Sequence, residues 1–158
     1  MRDEKILEEL LRLFIRQETP PGVRAAIAQE FGESRYYPAK EALLEGLTSS
    51  DAVIRDACIE SLAIRWKLDE LGPRLIEILE GDEYDFVRMR AAEGLGAIRY
   101  KEALPILKRI ILESAHDQAL QETAYEAVLS ILGKEEDKII EAGIDKPIVI
   151  DWELVHSL

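Results

Sequence analysis

The stretch VRMRAAEGLGAIRYKEALPIL, residues 87–107, decides the fold. Val87, Ala91 and Leu95 recur at every fourth residue, which puts them on one face of a helix. Gly96 interrupts that pattern. Ala103-Leu104-Pro105-Ile106-Leu107 then opens a second helix, with the proline in its first turn, where a missing N–H costs little. The stretch spells helix, short turn, helix.

The same unit recurs along the chain. Its anchor, the pair Val87-Arg88, has counterparts at Val23-Arg24 and Ile54-Arg55, in steps of 31 and 33 residues. A further step of 33 reaches Leu120-Gln121, a weaker copy. Four residues after each anchor stand Ile27, Cys58, Ala91 and Ala124; eight after stand Phe31, Leu62, Leu95 and Val128. Each copy then breaks and restarts: Gly32 and Tyr37-Pro38 before Ala42-Leu43-Leu44, Gly72-Pro73 before Leu75-Ile76, Gly133 before Ile139-Ile140. Thr19-Pro20, Ser50-Asp51 and Asp117 can open the first helices. Residues 1–18, with Ile6, Leu10, Leu13 and Phe14 as the apolar positions, predict an N-terminal capping helix. Copies follow over about 19–49, 50–82, 83–115 and 116–143, with 144–158 as a C-terminal cap or tail carrying Trp152.

Stacked helix pairs of this period form an all-α, right-handed α-α superhelix in which each unit buries its face against its neighbours. About four pairs plus the capping helix are expected. From Val87-Arg88 through Ala91-Ala92 and Leu95-Gly96 to Leu107, the sequence resembles the short HEAT repeats of the phycocyanobilin-lyase type. The resemblance covers about Pro20 to Gly143 and implies a HEAT-like solenoid. It implies little about function, because no residue here transfers a lyase activity.

Composition fits such a fold. Of 158 residues, 47% are hydrophobic and 33% charged, with only 9 Gly and 6 Pro, which favours helices over disorder. The single cysteine excludes an internal disulfide framework and points to a reducing compartment. The acidic start (Asp3, Glu4, Glu8, Glu9) does not read as a signal peptide, and no apolar run is long enough for a bilayer. A cytoplasmic protein is expected. A net charge of −12 repels nucleic acid and anionic lipid and favours basic partners.

One feature exceeds what a repeat demands. The turns within the copies carry Arg35-Tyr36-Tyr37, Arg65-Trp66-Lys67 and Arg99-Tyr100-Lys101, all cations and aromatics. As structure, the rings act as lids over their helix pairs and the cations snorkel outward. As function, the turns form a strip that docks a carboxylate-bearing protein, since Tyr, Trp and Arg dominate binding hot spots. The anchors Arg24, Arg55 and Arg88 recur with the repeat and are expected to serve it, bridging neighbouring units by pairing with carboxylates such as Asp51, Asp56 or Asp85.

The chemical inventory is sparse. His116 and His156 lack partners at metal-ligand spacing, Cys58 holds a buried repeat position, and no phosphate loop or serine motif occurs. The clusters Glu8-Glu9 and Glu135-Glu136-Asp137 suit solvated helix faces. The sequence therefore predicts a non-enzyme: a protein–protein interaction scaffold or adaptor without cofactor or metal, whose partner is another protein rather than nucleic acid or a membrane. Two alternatives are an acidic inhibitor or immunity protein against a basic toxin, and an accessory subunit of a bilin lyase or phycobilisome-related pathway.

Overall fold

The computed structural model describes residues 4–134 and 148–158. Every regular element among them is helical, and no strand occurs among the described residues. Two compact units divide the chain, Met1–Leu68 and Asp69–Leu158.

In the first unit, α1 (Glu4–Ile15), α2 (Pro21–Ser34), α3 (Lys40–Gly46) and α4 (Ala52–Ile59) follow in order. Helix α4 runs on into a π-helical stretch, Glu60–Arg65. Helix α1 buries Leu7 and Phe14, and Leu10 and Leu11 lie half-buried between them. That stripe turns Ile6 outward, 54% exposed, and takes in Leu7 instead, while Phe14 is buried as expected.

The second unit holds α5 (Gly72–Gly81), α6 (Asp85–Ala97), α7 (Leu104–Glu113), α8 (Gln118–Leu132) and α9 (Trp152–Ser157). Helix α6 packs on α5 and α8, and α7 packs on α8. The tail docks through α9: Val155 is fully buried, and Lys108 Nζ donates to the His156 carbonyl at 3.0 Å. The Asp151 N–H donates to Tyr125 Oη at 3.2 Å. The restart expected at Ile139-Ile140, the Glu135-Glu136-Asp137 cluster and the 143/144 boundary lie outside the described residues.

Each first helix of a copy buries the predicted stripe. Ile27, Cys58, Ala91 and Ala124, and Phe31, Leu62, Leu95 and Val128, are all buried. Val23 differs from the other anchors: it is 46% exposed, on a helix with only α1 ahead of it. The close approach of neighbouring first helices depends on glycine. A Cβ on Gly32 would lie 3.0 Å from Ser61 Cα, and one on Gly96 would lie 3.0 Å from Ala127 Cα.

The anchor side chains satisfy helix ends. Arg24 Nε donates to the Phe14 carbonyl at 2.7 Å, Arg55 Nη1 to Ser49 at 2.8 Å, and Arg88 Nε to Leu79 at 3.0 Å. Gln121 Nε2 donates to Ile111 at 2.6 Å. Phe14, Leu79 and Ile111 present carbonyls in the last turn of the preceding helix, where no intrahelical donor is left, and Ser49 lies in the loop just beyond α3. A charged donor to such a carbonyl contributes about 1.5–3 kcal/mol. This explains why the position recurs, and why glutamine can stand in for arginine in the last copy.

Candidate functional site

The turns that follow these first helices share a backbone conformation rather than a sequence. Arg35, Lys67 and Arg99 lie in the left-handed region, with φ of 52°, 55° and 53°. After Arg35 and Arg99 the next amide closes a bond to a carbonyl five residues back: Tyr36 to Phe31 at 3.1 Å, Tyr100 to Leu95 at 3.0 Å. This is the helix-ending motif that normally selects glycine. A bulky residue there is strained by about 1–3 kcal/mol. Three cations occupy strained positions where glycine would fit.

The shared conformation corrects the expected register. The left-handed residues are spaced evenly by 32, so Lys67-Leu68-Asp69 is the counterpart of Arg35-Tyr36-Tyr37, and Arg65-Trp66-Lys67 is not. Arg24 to Arg35 is 11 residues, Arg88 to Arg99 is 11, but Arg55 to Lys67 is 12. The extra residue is absorbed by the π-helical stretch, where the Trp66 N–H reaches back five residues to the Ser61 carbonyl at 3.0 Å.

That extra residue places Trp66 where the repeat has no counterpart for it. Its ring is 8% exposed, and its Nε1–H donates to the buried Gly32 carbonyl at 3.3 Å. Tyr37 lies over it with ring centroids 4.9 Å apart, and is 53% exposed. Tyr36 instead packs inward, 5.5 Å from Phe31. Arg35, Arg65 and Lys67 are exposed. Arg65 pairs with Glu60 at 3.1 Å, an exposed interaction that a ligand carboxylate can replace at little cost. The first unit thus presents one anchored ring, one open ring and flanking cations.

The turn of the second unit is arranged differently. The Tyr100 ring lies directly on the Gly72 backbone, where any Cβ would overlap it. Arg99 and Lys101 are exposed and line a shallow open depression of about 460 Å³ together with Asp69, Glu70 and Glu102. Its charges are mixed rather than basic.

Other predicted residues take structural places. Cys58 is fully buried, and burial pushes its thiol up from 9.0 to about 12 despite the opposing charge of Arg24. His116 is exposed between α7 and α8, and His156 Nδ1 is 2.6 Å from the Trp152 carbonyl oxygen. A polar cleft of about 590 Å³ in the first unit is floored by Phe14 and Arg24, the latter already committed to the end of α1. Among the described residues, no three His, Cys, Asp or Glu side chains are grouped as a metal ion would require. No helix among them is long and apolar enough to cross a membrane.

The fold class is all-α, built from paired helices with a shared buried stripe. Residues 72–142 match the HEAT repeats family, which supports a HEAT-repeat protein and fits a helical solenoid. The chain is 32% identical over 96 residues to a deoxyhypusine hydroxylase from Aspergillus oryzae (strain ATCC 42149 / RIB 40). The match covers 60% of this chain, which spans 28% of that relative's length. No solved structure matches the chain at a significant level. This relative overturns two expectations. The prediction of a non-catalytic scaffold, with its inhibitor and bilin-lyase alternatives, conflicts with a relative whose name is that of an enzyme. The prediction that the chain is not an enzyme falls with it. Both rest on a sparse inventory of histidines and nucleophiles, a signal that the likeness to an enzyme outweighs.

Proposed function

We propose that this chain serves a hydroxylase-type reaction on a polypeptide, and that it holds the polypeptide along the Tyr37–Trp66 edge of its first unit. The observation that carries the holding role is the ring pair itself. An exposed tyrosine packs at a tilt against a tryptophan fixed by a buried hydrogen bond, and exposed Arg35, Arg65 and Lys67 flank it. A ring already immobilised loses little entropy when a ligand covers it, and cations beside it can pair with carboxylates. The strain accepted at Arg35 and Lys67 supports the same role, since left-handed non-glycine residues concentrate at functional sites.

Hydroxylase chemistry enters from the relative, whose name gives its substrate as deoxyhypusine. A protein substrate suits a chain of net charge −12 better than nucleic acid does. A cytoplasmic setting, and the short phycocyanobilin-lyase type for the third copy, belong to the same proposal. The test is incubation of the full chain with a deoxyhypusine-bearing protein, dioxygen and a two-electron reductant, so that one oxygen atom enters a C–H bond and the other leaves as water, read by mass spectrometry. Addition of one oxygen atom to that residue supports the activity. Binding without oxygen addition, under conditions where a known deoxyhypusine hydroxylase turns over, would leave only the holding role standing. Neither binding nor turnover would overturn both.

A further inference from the structure

We propose that Tyr84 and Phe86, at the start of α6, form a seat for a lysine or arginine side chain of a basic polypeptide. The two rings are 45% and 44% exposed, with centroids 5.8 Å apart and planes tilted by 54°. The residues Glu83, Tyr84, Asp85 and Phe86 form a continuous exposed run. This site uses none of the residues on the Tyr37–Trp66 edge, so the two stand or fall separately.

The repeat supplies its own control. Counted back from the anchor side chain, the position of Tyr84 is held elsewhere by Pro20, Asp51 and Asp117. The position of Phe86 is held by Gly22, Val53 and Ala119. Asp51 and Asp117 cap their helices, accepting from Val53 N at 3.0 Å and Leu120 N at 3.1 Å. Tyr84 gives no side-chain cap, and α6 goes without that hydrogen bond. The third copy therefore carries a large ring in place of a stabilising cap. Both rings stay partly open to solvent.

The charge around the rings selects the occupant. Glu83 and Asp85 are exposed beside them, and the whole chain carries −12. The amino end of α6 contributes about half a positive charge, which two carboxylates outweigh. Arg88 draws on Asp85 only weakly, at 3.3 Å, and the Asp85 side chain is 69% exposed. Arg90 is engaged by Glu93 at 2.8 Å. A cation is attracted to a ring face within about 6 Å of its centroid. Rings this close allow one cation to reach that range of both, while the carboxylates favour its charge. An apolar or acidic partner would gain from the rings but not from the rim.

The test uses the full chain and two peptides, one lysine-rich and one with every lysine replaced by neutral norleucine. Amide chemical shifts are followed by nuclear magnetic resonance during titration, and affinity by calorimetry. The lysine peptide is expected to shift the amides of residues 82–88, and the norleucine peptide to leave them still. Tyr84→Ser with Phe86→Ser is expected to cost about tenfold in affinity, with the melting curve recorded to confirm folding. Glu83→Gln with Asp85→Asn provides a second route to the same loss without touching a ring. Equal shifts from the norleucine peptide overturn the cation seat in favour of an apolar contact. Shifts scattered over other acidic faces, unchanged by the serine variant, overturn it in favour of diffuse attraction.

Discussion

Replacing Arg35 by glycine separates stability from function. Arg35 sits at φ 52°, where an L side chain crowds its own backbone. Relief of that crowding is worth about 1–2 kcal/mol, and glycine's greater freedom in the unfolded chain returns about 0.5–1 kcal/mol of it. The net expectation is a stabilisation of about 0.5–1 kcal/mol. Arg35 is exposed, so little is lost in contacts. Urea unfolding followed by circular dichroism reads the change as a higher midpoint with an unaltered slope. At the same time the edge loses a cation, so affinity for a carboxylate-bearing polypeptide should fall. Opposite movements of stability and affinity are the expected signature. If Arg35→Gly lowers the midpoint, the left-handed turn is not strained as inferred, and Arg35 holds the fold by some other contact.

Trp66→Ala should destabilise the protein by about 3–5 kcal/mol, from loss of a buried ring and an unpaired Gly32 carbonyl. Trp66→Phe should cost markedly less, and equal losses would mean that the hydrogen bond to Gly32, not the ring, fixes the turn. Leu95→Ala should cost about 2–5 kcal/mol at a fully buried site, against almost nothing for the exposed Glu113→Gln, both measured by urea midpoints. Arg88→Gln should retain more stability than Arg88→Leu, because Gln121 already performs the same capping in the last copy; equal melting temperatures would contradict the capping role. Cys58 should resist a thiol reagent at pH 8 until the protein unfolds, since its thiol titrates near 12 in the fold. The sign follows: the folded group holds its proton more tightly, so its contribution to stability is intact below 9.0 and fades as pH rises toward 12. Rapid labelling of the native protein would contradict that burial.

The stripe at Ile27, Phe31, Ala91 and Leu95 was legible because helical period and repeat reinforce each other. The task of the anchor arginines was not, since their acceptors are backbone carbonyls, which leave no trace in side-chain identity. The second turn was misaligned for a readable reason. Steps of 31 and 33 around Ile54-Arg55 are uneven, while the left-handed residues are evenly spaced, and the difference is the π-helical insertion. The aromatic turns were visible as composition, but burial separates them: Trp66, Tyr36 and Tyr100 pack inward, and Tyr37 does not. Tyr84 could have been noticed as an aromatic at a position where Asp51 and Asp117 stand. The likeness to a hydroxylase was not legible, because the histidines and the cysteine form no catalytic constellation in the sequence.

The most direct test of the holding edge is the affinity of the Arg35→Glu, Arg65→Glu double variant for a deoxyhypusine-bearing polypeptide, measured by calorimetry beside a thermal melt. Both arginines are exposed, but Arg65→Glu also breaks the pair with Glu60, so a folded protein with a modestly lowered melting temperature is expected. Affinity should fall at least about tenfold, because an attractive edge becomes a repulsive one. Wild-type affinity in a folded double variant would contradict the account.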